Sequence, residues 1–315
     1  MATTERGSGL AEGSRNLAIM RVCVAHDAAD LMGPLPAAVR LTVAEVPTAD
    51  VEFWAPPFLR PALPPDALAE LTELRVVQLL TAGADAWLGR LPGSVTLCDA
   101  RGVHSSATAE WTVTAIRAYL RDFPVFARAQ ARAEWAYQRT DELAGKRVLI
   151  VGAGAIGEAI ADRLAPFEVE LVRVARTARP GVHGVAELPK LLPKADIVVL
   201  IVPLTAETTG FVDETFLGRM RDGALLVNAA RGPVVDTAAL TAELATGRIG
   251  AAIDVVDPEP LPQDHPLWAM PNVLLTPHVA ASVGGTLRRA YALVGEQLRR
   301  CVAGEPLINV VTGDY

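Results

Sequence analysis

Residues 148–157 read Val148-Leu149-Ile150-Val151-Gly152-Ala153-Gly154-Ala155-Ile156-Gly157. The apolar run ending at Val151 has the length and composition of a buried strand, and Glu158–Leu164 has a helical pattern. Between them lie three glycines at G-x-G-x-x-G spacing, each with its own job. Gly152 permits a tight turn, Gly154 lets a pyrophosphate approach the backbone, and Gly157 lets the helix pack closely on the strand. The helix N-terminus then offers unpaired N–H groups and partial positive charge to phosphate. Gly152, Ala153, Gly154, Ala155, Ile156 and Gly157 are therefore expected to cradle a dinucleotide.

Apolar strands alternate with helical patterns on both sides of this turn. Downstream, strands are expected at Arg147–Val151, Glu170–Val174, Ile197–Ile201, Ala224–Val227, Gly250–Asp254 and Val273–Leu275. Upstream, they are expected at Arg21–Ala25, Val39–Val43, Val51–Trp54, Leu74–Leu80 and Val95–Cys98, with a helix at Pro65–Leu71. Such alternation indicates parallel sheets covered on both faces. The loop 55–65 carries Pro56, Pro57, Pro61, Pro64 and Pro65 and cannot be regular. One long helix is expected from Thr108 to about Gln130, and an amphipathic one over Leu287–Ala303.

With 315 residues and 51% hydrophobic content, the chain is long enough for two cores. The net charge of -7 argues against nucleic acid or an anionic membrane as partner, since both call for a basic footprint. Cys23, Cys98 and Cys301 lie in separate apolar runs without metal-ligand spacing. They read as reduced core thiols of a cytoplasmic protein, with no metal site. Residues 1–16 lack the apolar stretch of a signal peptide and read as a frayed tail.

The end of the strand after the cradle selects between dinucleotides. An acid there would bond a ribose 2′-hydroxyl. Glu170 begins the strand and so sits at the wrong end, and the strand closes on Ala175 with no carboxylate. Arg176 and Arg179 flank Thr177, and guanidinium groups suit a 2′-phosphate. These residues favour NADP over NAD.

Three later strands each run into a turn bearing one ionisable group: Arg231, Glu259 and His278. Ligands of open α/β sheets bind at the carboxyl ends of strands, so these groups are expected to converge. Together with the cradle, the stretch 200–208 around Val202-Pro203-Leu204-Thr205, Thr81-Ala82-Gly83-Ala84-Asp85 and residues 102–110, they make the chain resemble the D-isomer-specific 2-hydroxyacid dehydrogenase family. The resemblance spans roughly residues 74–285.

The resemblance implies hydride transfer between NAD(P)H and C2 of a small 2-keto or D-2-hydroxy acid of the glyoxylate or hydroxypyruvate type. It implies an α/β fold of two doubly wound domains. A Rossmann-type cofactor domain would occupy residues 104–284. A flavodoxin-like substrate domain would combine 1–103 with 285–315. Arg231 would anchor the substrate carboxylate through its planar fork. His278 would be the general acid in reduction, and Glu259 would orient its ring and favour the imidazolium. Ala82 and Gly83 would offer a second carboxylate contact from their backbone. Asp254 would hold the nicotinamide carboxamide, with Val202, Pro203, Ala229, Ala230 and Ala280 also at the cofactor. The helix from Thr108 resembles the family's dimer element, which leaves Trp111 and Tyr119 either at a homodimer interface or in the core. His26, His104, His183 and His265 read as structural or solvated.

The chain departs from the family pattern at Ala175, and also after His278, where many members carry a glycine. Formate dehydrogenases carry Gln where Glu259 stands, which disfavours that activity. The chain ends at Tyr315, so no C-terminal regulatory domain of the phosphoglycerate dehydrogenase kind is expected. The alternatives are a D-3-phosphoglycerate dehydrogenase, for which Arg60 is the candidate phosphate ligand, and a non-catalytic NAD(P)-sensing protein on the same scaffold.

Overall fold

Val22, Val24 and Phe53 turn apolar side chains into one interior, and Leu149, Val198 and Leu226 into another. The computed structural model forms two parallel sheets, and each has buried apolar clusters on both faces. Residues 19–25 and 28–312 are described, so the tail expected over residues 1–16 and His26 lie outside the described residues.

The first sheet contains β1 (Met20–Val24), β2 (Val39–Val43), β3 (Phe53–Ala55), β4 (Val76–Gln78) and β5 (Thr96–Cys98). Its order, β2-β1-β3-β4-β5, is the flavodoxin-like arrangement. The short helix α1 (Pro65–Ala69) precedes β4, and Pro65 occupies its first turn, where a missing N–H costs nothing.

Two helices then lead to the second sheet. In α2 (Ser105–Leu120), Ala109, Val113, Ile116 and Leu120 form a buried stripe. The single helix expected to run to Gln130 instead breaks at Asp122, whose φ is 53°, and restarts as α3 (Phe123–Ala131). Pro124 is the physical reason: it has no N–H for the helical ladder, and in a continuous helix its ring would clash with the carbonyl of Leu120 one turn earlier. It fits only within the first turn of a new helix.

The second sheet begins with β6 (Arg147–Val151), α4 (Ala155–Leu164), β7 (Glu170–Ala175) and β8 (His183–Gly184). It continues through α5 (Leu188–Leu191), β9 (Ile197–Leu200), α6 (Glu214–Arg219), β10 (Leu225–Asn228), α7 (Thr237–Ala245), β11 (Gly250–Ile253) and β12 (Val273–Leu275). The order β12-β11-β10-β9-β6-β7-β8 reverses direction between β6 and β9, which is the Rossmann switch point. The edge strand β8 has only two residues, too short for a periodicity signal.

Helix α8 (Thr286–Ala303) then returns to the first sheet, burying Ala290, Tyr291, Val294 and Leu298 in the core with Val22 and Phe53. Its Gly295 allows close approach, since a Cβ there would lie 2.0 Å from the Met32 carbonyl oxygen. The fold is thus α/β, with two doubly wound sheets. All three cysteines are free, and burial pushes the Cys98 thiol up to about 12 and Cys301 up to about 11.

Candidate active site

The carboxyl ends of both sheets face a shared cleft. One cavity is lined by Phe58, Ala82, Gly83 and His104 from the first part of the chain and by Arg231, Asp254, His278 and Ala280 from the second. An adjoining cavity shares Ala82, Gly83, His104 and Ala229–Arg231 and extends along Gly154–Gly157, Val202 and Pro203.

The cradle fits a dinucleotide by a direct steric criterion. Gly152 has φ 120°, and a Cβ there would strike the Ile201 backbone at 2.4 Å. A Cβ at Gly157 would lie 1.9 Å from the Gly152 carbonyl oxygen, so the helix approaches the strand as closely as its sequence allows. At Gly154 a Cβ would meet nothing within 4 Å. Bare backbone there faces open space at the N-terminus of α4, as a pyrophosphate requires.

Arg176 and Thr177 lie exposed just beyond β7 and line neither cavity. Arg176 faces Glu207 at 3.4 Å. Arg179 reaches the cradle, donating through Nη2 to the Ala153 carbonyl at 2.7 Å. Glu170 pairs with Arg147 at 2.8 Å, at the end of the sheet away from the cleft.

His278 and Glu259 meet directly. Nδ1 of His278 lies 2.9 Å from Oε2 of Glu259, whose other oxygen accepts the Val256 N–H at 3.1 Å. Burial pushes the Glu259 carboxyl up. Its hydrogen bonds to His278 and Val256, with the charges of His278 and Arg231, outweigh that and leave it below the ordinary carboxylate range. A depressed carboxylate stabilises the fold above its unfolded pKa and loses that contribution as pH falls through the native value.

The His278 turn is held by a residue for which the resemblance implied another role. Asp254 is 3% exposed. Its carboxylate accepts the Thr276 hydroxyl at 2.6 Å and the Val279 and Ala280 N–H groups at 2.9 and 2.8 Å. Its carbonyl accepts the His278 N–H at 2.7 Å, with His278 at φ 54°. These contacts offset the strain of a non-glycine residue in left-handed backbone. Asn228 does the same for the next turn, accepting from the Ala230 N–H and donating to the Arg231 carbonyl.

The fork of Arg231 is partly engaged. Nε donates to Oδ1 of Asp85 at 3.2 Å, and Nη1 donates to the Ala230 carbonyl at 2.8 Å. Nη2 lies against Gly83, where a Cβ would fall 1.5 Å away. Gly83 is therefore required for the arginine to lie along this wall. Sequence reasoning did not single out Asn228, and it gave no site role to Asp85, read only within the stretch 81–85, or to His104. Asn228, a polar residue closing an apolar strand, carried the only local signal.

His104, expected to be structural or solvated, is buried and lines both cavities. His183 is exposed and pairs with Glu187, while His265 caps the turn at Leu267. Trp111 and Tyr119 pack against the core of the second sheet. Arg60 pairs with Glu45 at 3.0 Å and lines neither cavity. Among the described residues no cluster of His, Cys, Asp or Glu could hold a metal ion, and no helix is long and apolar enough to cross a membrane.

A doubly wound sheet opening on such a glycine turn is a dinucleotide-binding fold, and comparison with known proteins agrees. The profile described as D-isomer specific 2-hydroxyacid dehydrogenase, NAD binding domain, matches residues 113–280. A glyoxylate reductase of Thermofilum pendens is 39% identical over 65% of this chain and 64% of its own length. Glyoxylate/hydroxypyruvate reductase A of Klebsiella pneumoniae is 32% identical over 85% of this chain and 91% of its own. Formate and D-3-phosphoglycerate dehydrogenases match as well. A crystal structure of a D-isomer specific 2-hydroxyacid dehydrogenase from Xanthobacter autotrophicus Py2, in complex with NADPH and MES, superposes with a TM-score of 0.79. It is 34% identical, covering 94% of this chain and 98% of that one. The chain belongs to the D-isomer-specific 2-hydroxyacid dehydrogenase family and is an NAD(P)-dependent dehydrogenase.

Proposed function

We propose that this enzyme reduces a small 2-keto acid of the glyoxylate or hydroxypyruvate type to its D-2-hydroxy acid, with NADPH preferred to NADH. The observation that carries the reading is the His278–Glu259 pair beside Arg231 in a cleft continuous with the glycine cradle. Arg231 and the backbone at Ala82 and Gly83 hold the substrate carboxylate. His278, with Nδ1 committed to Glu259, has Nε2 left to donate a proton to the carbonyl oxygen. When bound, the reduced nicotinamide supplies the hydride. Gly152–Gly157, Val202, Pro203, Ala229, Ala230 and Ala280 form its binding wall, and Asp254 keeps the His278 turn in place beside it. The cofactor domain is assigned to residues 104–284 and the substrate domain to 1–103 with 285–315. A panel of keto acids run with NADH and NADPH tests the activity, and no oxidation of either cofactor with any of them would overturn it.

The cofactor preference rests on Ala175 closing β7 without a carboxylate, on the cation of Arg176 exposed just beyond that strand, and on Arg179, which reaches the cradle. Arg176→Ala is expected to raise the Michaelis constant for NADPH about tenfold or more, and that for NADH far less. Loss of a charged hydrogen bond, roughly 1.5–3 kcal/mol, sets the scale. Equal Michaelis constants for the two cofactors in the parent enzyme would refute the preference.

D-3-Phosphoglycerate is disfavoured as substrate by the pairing of Arg60 with Glu45 outside the cleft. The free thiols support a reducing, cytoplasmic location. The proposal includes a homodimer. Its support is the segment after α3, where Trp135 is 96% and Tyr137 84% exposed, unusual for side chains of this size and polarity. Sedimentation is expected to give two copies for the parent and one for the doubly substituted Trp135→Ala, Tyr137→Ala protein. A monomeric parent would remove the dimer from the reading.

A further inference from the structure

The carboxylate and carbonyl of a 2-keto acid account for Arg231, Gly83 and His278, but not for the wall formed by Phe58, Leu59 and His104. With those two groups engaged as proposed above, the remaining substituent on C2 is left for that wall. Phe58 and Leu59 offer no polar side-chain atom to it, and Ser282 sits exposed at its rim.

His104 is 4% exposed, and its two nitrogens differ. Nε2 lies 2.7 Å from the Leu80 carbonyl oxygen. A carbonyl only accepts, so Nε2 carries the hydrogen and Nδ1 of the neutral ring presents a lone pair. Nδ1 is buried and has no hydrogen-bond partner. Burial, with the positive charges of Arg289 and Arg231, holds this imidazole below its ordinary range against the opposing pull of the Leu80 carbonyl. The neutral tautomer is therefore the resting form. Arg289 also donates from Nε to the Val103 carbonyl at 2.9 Å, fixing the backbone that carries the ring, and the Phe58 ring lies 5.8 Å from it.

A fixed acceptor in a desolvated wall is costly until a donor meets it. It repels carboxylate, phosphate and carbonyl oxygens, and it suits a hydroxyl. We propose that His104 is a specificity-determining residue whose Nδ1 accepts a hydrogen bond from a hydroxyl on C3 of the substrate. The preferred substrate class is then a 2-keto acid bearing a hydroxyl on the carbon next to the carbonyl. This inference rests on the reductase reading above.

The test compares glyoxylate, pyruvate and hydroxypyruvate, which add a third carbon and then its hydroxyl in turn. His104→Phe keeps a ring beside Phe58 and removes both nitrogens. It is expected to lower the hydroxypyruvate-to-pyruvate ratio of kcat/KM about 10–100-fold relative to the parent. A second measurement needs no variant and avoids the different reactivity of the two carbonyls. In the parent enzyme D-glycerate is expected to inhibit about tenfold more tightly than D-lactate, which lacks only that hydroxyl. An unchanged ratio in the variant, or equal inhibition by the two products, overturns the role of His104 while glyoxylate reduction keeps the reductase reading intact. No turnover of any of the three acids would bring down both.

Discussion

His278→Ala is expected to slow keto-acid reduction by about 10²–10⁴-fold while leaving NADPH binding nearly intact. The residue is held through side chain and backbone. Glu259 engages Nδ1 at 2.9 Å, the Asp254 carbonyl takes the backbone N–H of His278 at 2.7 Å, and the Asp254 carboxylate accepts from the Thr276 hydroxyl and the Val279 N–H. The variant loses the proton donor, and water in the vacated space has neither its placement nor its acidity. The ring's hydrogen bond goes to Glu259 and not to the glycine cradle, so cofactor affinity reports separately on folding. Glu259→Gln divides the effect further. It keeps the shape and removes the charge that Nδ1 of His278 faces at 2.9 Å. The ring loses its charged orienting partner, and reduction is expected to slow by about tenfold or more, the scale of a charged hydrogen bond worth roughly 1.5–3 kcal/mol. Single-turnover rates of both variants check these outcomes. A fully active His278→Ala enzyme would remove the mechanism, and an unchanged rate in Glu259→Gln would show that the carboxylate does not orient the ring.

Arg231→Lys retains the charge and is nonetheless expected to cost about 10- to 150-fold in kcat/KM. That is the equivalent of a charged hydrogen bond worth roughly 1.5–3 kcal/mol. The guanidinium is held through Nε by Asp85 and through Nη1 by the Ala230 carbonyl, with Nη2 along Gly83. An ammonium cannot reproduce three fixed directions at once. The substitution also leaves Asp85 in the cleft without its guanidinium, where its charge opposes an anionic substrate. Much of the loss is therefore expected in KM, and substrate saturation curves at fixed NADPH measure it. A rate within about twofold of the parent would place Arg231 outside the site.

Much of this was legible before any coordinates. The cradle, the acid-free end of β7 and the three strand-end turns are written in neighbouring residues, because turn chemistry and strand burial depend on local spacing. The expected strands all formed, with ends shifted by a residue or two where caps and turns decide the boundary. The break at Asp122 was also local, since Pro124 forbids a continuous ladder, yet the apolar period through Leu120 masked it.

What only the tertiary structure decided involves partners far apart in sequence. Asp85 meets Arg231 across 146 positions, His104 finds the Leu80 carbonyl across 24, and Arg289 reaches Val103 across 186. No spacing rule links such residues, because two sheets and a returning helix set their distance. Sequence by itself therefore determined which ionisable groups are the candidates for the chemistry and at which strand ends they stand. The packing of the two sheets decided how far the arginine fork is already engaged, and which buried nitrogen faces an unfilled hydrogen bond, because burial and orientation are properties of the assembled cleft.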